Sequence, residues 1–247
     1  MHEEFKEKRF LVHSDNNELF LIKPCYYPDS ELKIRNPYDY IYAENFLYKN
    51  KYTCTYETDK CHIEENDIVV DVGANIGIFV NRALYRGAKE VIAFEPSKYA
   101  FTCLLENTKY ENVNLFKVGI GDYENIGILK TPGNIFRMGE ASLLSTEKFT
   151  NNFFEETIKI ETLDSYFKIG ILINVDFLKI DCEGFEYNVI KGISDNNLNK
   201  IKKITIEIHE DLIGTEKVNY IKKRLKKAGF NIEKLDDENI NILNFYR

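Results

Sequence analysis

Hydrophobic and polar positions follow two alternating patterns from about residue 66 onwards. Short apolar runs rich in β-branched residues, such as DIVVDV at 67–72, are typical of strands buried in a parallel sheet. The runs between them have helical character: one stops at Gly87, a residue type favoured just after a helix, and another begins after the good N-cap Ser97. This alternation predicts an α/β fold with a doubly wound, mostly parallel sheet flanked by helices.

The predicted elements continue to the end of the chain with one interruption. Further strands are expected in EVIAFE (90–95), VNLFKVGIGD (113–122), VDFLKIDCEG (175–184) and KKITIEIHED (202–211), and further helices in FEYNVIKGI (185–193) and TEKVNYIKKRLKKAGF (215–230). Residues 123–170 break the alternation and predict an inserted hairpin or loop, then a strand and a short helical turn. The last two strands, in 231–237 and 239–247, are predicted to pair as an antiparallel hairpin.

The first 60 residues are rich in tyrosine and lack a clean period. Residues 17–24 predict a short strand, and residues 37–50 predict a helix that begins at Pro37. We interpret residues 1–60 as a cap or lid on a main domain formed by residues 61–247. The tyrosine-rich part could equally form the contact face of a homo-oligomer.

Composition and charge narrow the class of function. The 247-residue chain is 44% hydrophobic, enough to bury a sizeable core, and its formal net charge of -7 argues against nucleic acid as a partner. Five cysteines without a CxxC pair indicate a reducing compartment. No apolar run approaches the ~20 residues of a membrane-spanning helix, and no signal sequence is recognised, so a cytoplasmic location is expected.

The end of the first regular strand carries the motif DVGANIG, residues 71–77. In an open parallel sheet, ligands bind beyond the carboxyl ends of the strands. Gly73 allows a tight turn and the close approach of a ligand, and Gly77 allows the next helix to pack near the strand. The start of that helix offers N–H groups and a partial positive charge. A dinucleotide site would show GxGxxG here, whereas this motif places an acid before the glycines.

Acidic residues end three successive strands, an arrangement that suits S-adenosylmethionine with its ammonium and sulfonium groups. Asp71 is expected to hold the amino-acid end through water or Asn75, while the Gly73 turn takes the carboxylate. Glu95 is expected to accept both ribose hydroxyls, and Asp122 to accept from the exocyclic amine of adenine. Two alternatives stay open: a plain strand–turn–helix joint without a ligand, and NAD, for which Glu95 would serve as well.

A second group of polar residues follows the later strands. Lys179 and Asp181 share a face of their strand, because alternate residues point the same way, and Glu183 begins the following turn. Glu207 and His209 are likewise two apart at the end of the neighbouring strand. Methyl transfer to a hydroxyl needs an aligned nucleophile and removal of its proton. The candidate catalytic residues are Lys179, Asp181, Glu183 and His209, with His209 suited to act as a base.

The same group of residues allows two other interpretations. Asp181, Glu207 and His209 are candidate ligands of a Mg²⁺-type ion that would bind the substrate hydroxyl. Alternatively, Lys179 and Asp181 form a structural ion pair, and His209 fills a polar rim.

The chain also resembles a known family in a series of motifs between about residues 66 and 210. In order, they are DIVVDVGANIG, FEPS, VGIGD, LDSY, DFLKIDCEGFEYNVIKG and IEIH. Together they closely resemble the FkbM-type S-adenosylmethionine-dependent methyltransferases. The resemblance implies a class I (Rossmann-like) methyltransferase fold, in which a seven-stranded sheet has a reversed last strand.

The resemblance further implies a cofactor, a reaction and a set of site residues. The cofactor motifs of the family fall on Asp71, Gly73, Asn75, Gly77, Glu95 and Asp122, and its later acid cluster falls on Asp181 and Glu183. The implied reaction is methylation of a hydroxyl, often on a sugar of a secondary metabolite or a surface polysaccharide. The GEASLL loop around Ser142 falls where the family has a small-residue loop over the site, and we expect it to act as a lid.

Three functions are therefore compared. The first is a sugar O-methyltransferase that acts on a nucleotide-activated or glycan-bound sugar, such as one of a capsule or lipopolysaccharide. The second is a methyltransferase for another small metabolite, a lipid or a nitrogen nucleophile. The third is a cofactor-binding module without catalysis. Intact Asp181, Glu183 and His209 argue against the third, since binding alone would not require them.

Overall fold

The computed structural model of the chain describes residues 56–133, 140–144, 153–233 and 241–247, together with the strand backbone at 12–14, 20–22 and 32–34. The strands in these ranges are β1 (Val12–Ser14), β2 (Phe20–Ile22), β3 (Leu32–Ile34), β4 (Ile68–Val72), β5 (Glu90–Phe94), β6 (Val113–Phe116), β7 (Gly119–Ile120), β8 (Asn125–Pro132), β9 (Phe153–Glu161), β10 (Val175–Ile180), β11 (Ile201–Glu207), β12 (Asn231–Glu233) and β13 (Ile242–Tyr246). The helices are α1 (Ile78–Tyr85), α2 (Lys98–Asn107), α3 (Leu163–Lys168), α4 (Glu186–Gly192), α5 (Asp195–Leu198), α6 (Glu210–Ile213) and α7 (Thr215–Lys227).

The central sheet has seven strands in the order β12-β13-β11-β10-β4-β5-β6. The neighbouring pairs from β11 to β6 are parallel, whereas β13 runs antiparallel to both β11 and β12. A short connection can join only antiparallel strands, because a parallel pair needs a crossover, and this explains why β13 is reversed after β12. The order and the reversed last strand are those expected of the class I methyltransferase fold, and the predicted C-terminal hairpin is confirmed.

Helices cover both faces of this sheet, so its inner strands are apolar on both sides. In β4, Val70 and Val72 pack into one core together with Ile180 of β10, while Val69 packs into the other core with Phe79 of α1. Successive side chains of a strand point to opposite faces, which sends neighbouring valines into different layers. Each fully buried aliphatic side chain of this kind stabilises the fold by about 1.5–3 kcal/mol.

The helix ends agree with the signals in the sequence. Ser97 caps α2, because its side chain accepts a hydrogen bond from the Ala100 N–H. Gly87 follows the C-cap Arg86 of α1 with a φ of 86°, a conformation that glycine adopts without strain. The end of α1 and the start of α2 therefore lie where the glycine and serine in the sequence predict them.

The predicted third strand is divided between two sheets. A tight turn, in which the Val118 N–H donates to the Phe116 carbonyl at 3.0 Å, redirects the chain after β6. β7 then pairs with β9 in a second, three-stranded sheet of order β7-β9-β8, in which β8 and β9 are antiparallel. The insertion predicted within 123–170 is present, with β9 and α3 as its strand and short helical turn, but the hairpin is formed by β8 and β9 rather than before the strand. The expectation of one continuous strand over 113–122 is wrong.

The N-terminal strand backbones form a separate antiparallel sheet in the order β1-β2-β3. The strand predicted over 17–24 is found as β2, whereas the helix predicted over 37–50 lies outside the described residues. The division into a cap of residues 1–60 and a main domain of residues 61–247 stays a prediction.

Two further features of the described residues concern membranes and thiols. No helix in the described ranges is both long enough and apolar enough to cross a bilayer. Cys61 and Cys182 carry free thiols, and two of the five cysteines of the sequence lie outside these ranges.

Gly73 lies where the turn after β4 crosses the end of β10. Its φ is +83°, and a Cβ added there would lie 1.7 Å from the Asp181 carbonyl oxygen. Gly170 offers a matched comparison, since its φ is +80° but no atom lies within 4 Å of an added Cβ. The crossing of two backbones, and not only the left-handed conformation, therefore requires glycine at position 73.

We expect Gly73→Ala to lower the free energy of unfolding by more than Gly170→Ala does. A left-handed backbone costs a residue with a side chain about 1–2 kcal/mol, and both variants share this cost. Only Gly73→Ala also forces backbones apart, and overpacking adds about 1–3 kcal/mol. Denaturant unfolding followed by circular dichroism measures the difference. Equal losses in the two variants would mean that the crossing tolerates a side chain.

Candidate functional site

A cavity of about 180 Å³ lies at the carboxyl ends of the central strands. Gly73, Glu95, Asp181 and Glu207, which stand at or just beyond the ends of β4, β5, β10 and β11, all line it. Parallel strands bring their carboxyl ends to one edge of the sheet, and ligands of open α/β sheets bind there. The cavity is therefore the candidate functional site.

The glycine turn presents the start of α1 to this cavity. The Gly73 N–H donates to the Phe94 carbonyl oxygen at 2.9 Å, which holds the turn against β5. Gly77 is the N-cap of α1, and among the described residues no side chain caps this helix end. Ile78 and Phe79, the first residues of the helix, line the cavity. A partly positive helix end therefore faces the cavity, as the motif predicts.

Both glycines of the motif are required by packing within the protein. An added Cβ on Gly77 would lie 2.8 Å from Leu104 and 2.9 Å from Thr108, at the end of α2. Gly77 thus allows α1 to approach α2, whereas the expectation was close packing between the helix and the strand. Gly73 likewise serves the crossing with β10 described above. These contacts explain both glycines without a ligand.

Glu95 is fixed at the end of β5 by two backbone donors. The Asn75 N–H donates to Oε2 and the Ser97 N–H donates to Oε1, each at 2.8 Å. Glu95 is 6% exposed and lines the cavity, as does Asn75, whose φ is 50°. The structure places Glu95 where the sequence predicted it, with the Asn75 backbone as its support.

Asp71 and Lys179 form a buried ion pair between neighbouring strands. They are register partners in β4 and β10, and the Lys179 Nζ lies 3.1 Å from Asp71 Oδ1 and donates to the Gly73 carbonyl at 3.0 Å. Burial raises the pKa of Asp71 despite the opposing effect of Lys179. Burial lowers the pKa of Lys179, but Asp71 and Asp181 raise it by more.

The buried pair gives Asp71 a different role from the one expected. Its side chain is fully buried and does not line the cavity. The carboxylate neutralises Lys179, and the geometry offers it no contact with the amino-acid end of a cofactor. Lys179 does line the cavity, and its Nζ lies 3.5 Å from Asp181 Oδ2, so the ion pair between Lys179 and Asp181 considered in the sequence is also present.

Asp122 also differs from its expected placement. Its Oδ1 accepts from Asn188 Nδ2 at 2.8 Å, and its Oδ2 pairs with Lys191 Nζ at 2.7 Å, both on α4. It is absent from the cavity wall. Because the chain leaves the central sheet after β6, Asp122 does not end a strand of that sheet and turns to α4 instead. This position does not support the expected contact with an adenine amine.

One wall of the cavity is apolar. Val118 and Ile120 from the β7 region, Leu129 of β8 and Phe185 before α4 all line it. Such a wall accommodates a flat ring through burial and dispersion. Sequence reasoning missed this wall because it depends on how the inserted hairpin folds back over the central sheet.

The described part of the GEASLL loop, residues 140–144, lies against the same cavity. Ala141 and Leu143 line it, and between them the Ser142 hydroxyl donates to the Glu183 carbonyl at 2.6 Å and accepts from the Leu144 N–H at 3.1 Å. The loop is therefore tied to the turn after β10, next to the predicted site residues. Its movement as a lid stays a prediction.

Asp181 and Glu207 meet around a tyrosine that the sequence motifs do not include. The Tyr56 hydroxyl lies 3.0 Å from Asp181 Oδ2 and 2.5 Å from Glu207 Oε2, and Tyr56 lines the cavity. Burial and the charge of Asp181 raise the pKa of Glu207 to about 7, against the lowering effect of the Tyr56 hydrogen bond. Sequence reasoning missed Tyr56, because it precedes the first motif and no local pattern marks it.

His209 lies between two glutamates. Its Nδ1 is 2.8 Å from Glu186 Oε1, and its Nε2 is 3.4 Å from Glu183 Oε2. Burial lowers the pKa of His209, but the hydrogen bond to Glu186 and the charge of Glu183 raise it by more, to about 10. The raised pKa favours the imidazolium at neutral pH, and in this form the Nδ1–H donates to Glu186 while the Nε2–H faces Glu183. A cation does not take up a proton, so His209 differs from the base that the sequence suggested.

Glu186 is a second functional residue that sequence reasoning missed. It is fully buried, and its Oε1 also accepts from the Gly184 N–H at 2.9 Å. The sequence signal that could have found it is its place three residues after Glu183, at the start of the helix that follows the turn. Burial raises the pKa of Glu183 to about 8, against the lowering effect of His209. The turn after β10 therefore holds two carboxyl groups with opposite tasks, one that anchors the imidazolium and one that faces the cavity.

The three predicted metal ligands are also brought together. One ligand atom each of Asp181, Glu207 and His209 lies within 4.8 Å of the other two. In the structure, the Tyr56 hydroxyl stands between the two carboxylates, and the imidazole is held by glutamates. Mg²⁺ prefers carboxylate oxygens and water as ligands, and the imidazole of His209 does not match this preference. The metal stays a hypothesis.

Comparison with known proteins identifies the family. The model of the methyltransferase FkbM domain matches residues 71–232. Methyltransferase sdnD of Sordaria araneosa is 25% identical over 201 residues, which cover 67% of this chain and 74% of that protein. Hexuronic acid methyltransferase AglP of Haloferax volcanii is 28% identical over 146 residues, covering 59% of this chain and 57% of that protein.

A further relative and a solved structure are also similar to this chain. The 31-O-demethyl-FK506 methyltransferase FkbM of Streptomyces tacrolimicus is 26% identical over 199 residues, covering 67% of this chain and 74% of that protein. The crystal structure of methyltransferase FkbM from Methylobacillus flagellatus KT aligns with a TM-score of 0.49 and 18% identity, over 83% of this chain and 48% of that one. This chain thus spans about half of that solved protein. Because the family match covers more than half of the chain, the protein belongs to the FkbM methyltransferase family.

Proposed function

We propose that this protein is an S-adenosylmethionine-dependent O-methyltransferase that methylates a hydroxyl of a sugar. The observation that carries the cofactor assignment is Glu95, a buried carboxylate on the cavity wall that two backbone N–H groups hold in place. A carboxylate has about four acceptor positions, so a carboxylate at this place suits a pair of adjacent ribose hydroxyls.

The rest of the cavity suits the other parts of this cofactor. The start of α1, which no described side chain caps, suits the carboxylate of the amino-acid end. The apolar wall of Val118, Ile120, Leu129 and Phe185 suits the adenine ring. Asn75 supports Glu95 through its backbone, and Asp71 supports the site only through Lys179. Neither Asp71 nor Asp122 is part of the proposed cofactor contact.

The carboxyl groups at the ends of β10 and β11 form the proposed acceptor end. Asp181 orients the acceptor hydroxyl, and Glu183 takes up its proton. The pKa of Glu183, raised by burial to about 8, lies near the pH range in which a general base works best. Lys179, 3.5 Å from Asp181, and the His209 imidazolium, 3.4 Å from Glu183, hold these two groups. The bound cofactor would supply the electrophilic methyl group for an in-line displacement.

A neutral hydroxyl fits this end better than an anion. The charge of Lys179 is offset by Asp71, and that of His209 by Glu186. The carboxyl groups of Asp181, Glu183 and Glu207 therefore surround the acceptor end, and a negative group next to the methyl would be repelled by those that are ionised. The name of the relative AglP supports a sugar as the acceptor class. The name of the FK506 methyltransferase supports a different metabolite as the second candidate.

We expect S-adenosylhomocysteine, and not NAD, to raise the melting temperature of the protein. A ligand at ~100 times its dissociation constant that binds only the folded state adds about 2.7 kcal/mol, which a thermal melt resolves. Glu95→Gln removes one charge-assisted acceptor of the ribose hydroxyls and should weaken binding about tenfold or more, as measured by calorimetry.

The matched control for this measurement is Glu90→Gln. Glu90 begins the same strand, β5, and accepts from Asn114 Nδ2 at the end remote from the cavity. Its substitution should leave binding unchanged. Stabilisation by NAD alone would replace the proposed cofactor with a dinucleotide, and no stabilisation by S-adenosylhomocysteine would remove the cofactor assignment.

We expect Asp181→Asn to abolish methyl transfer to sugar acceptors while S-adenosylhomocysteine still binds. The reason is that Asp181 faces the acceptor hydroxyl and takes no part in holding the cofactor. Asp176→Asn, at the opposite end of β10, is the control and should keep turnover. Turnover is followed by transfer of a labelled methyl group to a panel of nucleotide sugars and glycosides. Equal loss of turnover and binding would mark Asp181 as structural.

The same assay separates the metal hypothesis from the proposal. If Asp181, Glu207 and His209 hold a divalent ion, a chelator abolishes turnover and Mg²⁺ restores it. If the carboxylates act directly, turnover continues in the chelator.

We expect His209 to titrate far above the ordinary histidine pKa of about 6.5. Nuclear magnetic resonance of the imidazole protons should give a pKa of about 10, with His209→Gln identifying the signal among the four histidines. Because the folded-state pKa is raised, the stabilisation that His209 provides is complete below pH ~6.5 and is lost as the pH rises through about 10.

Glu186→Gln serves as the test of the cause. It removes the ionised partner 2.8 Å from Nδ1, so the pKa of His209 should fall. Titration of His209 near 6.5 in the unaltered protein would restore it as a candidate base.

A further inference from the structure

Tyr56 reaches the acceptor end of the cavity from outside the residues that the family model matches. Its ring packs edge-on against Phe79 of α1 with 5.7 Å between the centroids, and the Lys179 Nζ lies 5.3 Å from the ring centroid. The residue is 6% exposed. Elements of the central sheet and its first helix therefore fix the ring, and the fixed ring aims the hydroxyl.

The hydroxyl lies between two carboxyl groups that the sheet forces together. β10 and β11 are paired in register up to Ile180 and Ile206, so Asp181 and Glu207 follow side by side. Neighbouring carboxylates repel each other when both are ionised. The Tyr56 hydroxyl lies 3.0 Å from Asp181 Oδ2 and 2.5 Å from Glu207 Oε2 and joins the two groups, because it donates its one proton to one of them and its oxygen accepts from the other when that carboxyl group is protonated.

Lys179 does not replace this contact. Its Nζ lies 3.5 Å from Asp181 Oδ2 but closer to Asp71 Oδ1, at 3.1 Å, and to the Gly73 carbonyl, at 3.0 Å. The hydroxyl contact is thus the shorter of the two that hold Asp181. Without it, Asp181 would be drawn towards Lys179 and away from Glu207.

We propose that Tyr56 is a positioning residue of the acceptor end, whose hydroxyl holds Asp181 and Glu207 together and so sets the direction of Asp181 towards the reacting centre. The proposal rests on the proposed function and extends the site into the segment that precedes the family match. Tyr56 acts through Asp181, and its own ring forms part of the cavity wall.

The test separates the hydroxyl from the ring. Tyr56→Phe keeps the ring and its packing and removes only the bridging hydroxyl. Tyr166→Phe is the matched control, because Tyr166 is also buried, packs against Phe94 and donates its hydroxyl to a single carboxylate, Glu161, away from the cavity wall. Circular dichroism verifies that both variants fold.

The probes are sinefungin and S-adenosylhomocysteine, measured by calorimetry. Sinefungin carries an amine where the methyl group of S-adenosylmethionine stands, so its ammonium would lie at the acceptor end next to Asp181. S-adenosylhomocysteine has no group there. The ratio of the two dissociation constants therefore reports how Asp181 is oriented, and a purely structural role of Tyr56 would not change it.

We expect Tyr56→Phe to weaken sinefungin about tenfold, the effect of one hydrogen bond to a charged group. The affinity for S-adenosylhomocysteine should stay within about threefold, and Tyr166→Phe should change neither ligand. An unchanged ratio in Tyr56→Phe, or an equal loss of both ligands, would overturn the positioning role. Failure of the unaltered protein to bind S-adenosylhomocysteine would instead overturn the proposed function itself, so the two failures are distinct.

Discussion

The buried ammonium of Lys179 is the interaction on which the site depends. Its Nζ is shared by Asp71, Asp181 and the Gly73 carbonyl, and it lies near the face of Tyr56. Removing an ammonium from water costs several kcal/mol unless carboxylates and carbonyls take the place of the water. The ends of β4 and β10 and the glycine turn between them are therefore held at fixed distances. Packing between β4 and β10 gives the Gly73 turn its shape, so the turn is preformed before any ligand binds.

The cavity is divided by chemistry into two ends. At one end, two backbone N–H groups hold the Glu95 carboxylate, no described side chain caps the start of α1, and the wall is apolar. At the ends of β10 and β11 the groups are carboxyls whose neighbouring cations are already neutralised. Two parallel strands with adjacent carboxyl ends create this concentration, because their last side chains stand side by side. The fold itself thus separates the proposed cofactor end of the cavity from the proposed acceptor end.

Much of the fold followed from local pattern. Short β-branched runs predicted the strands, and Ser97 and Gly87 marked helix ends that the structure contains. Glu95 follows β5 and lines the cavity, because its position at a strand end is a local property, and its contact with a cofactor stays a prediction. Asp71 and Asp122 do not line the cavity, although the sequence suggested that they would. An acidic residue at the end of a strand can face the cavity, a neighbouring strand or a helix, and the sequence does not distinguish these three positions.

The sequence by itself determined the order of strands and helices, the glycine turn and the types of residue at the strand ends. Only the tertiary structure decided which of those residues face the cavity. It buried Asp71 against Lys179, it surrounded His209 with carboxylates and so turned a possible base into a cation, and it brought Tyr56 to the end of β10. The physical reason is that burial and charge partners come from residues far apart in the chain. A local pattern records neither, and both decide what a titratable side chain can do.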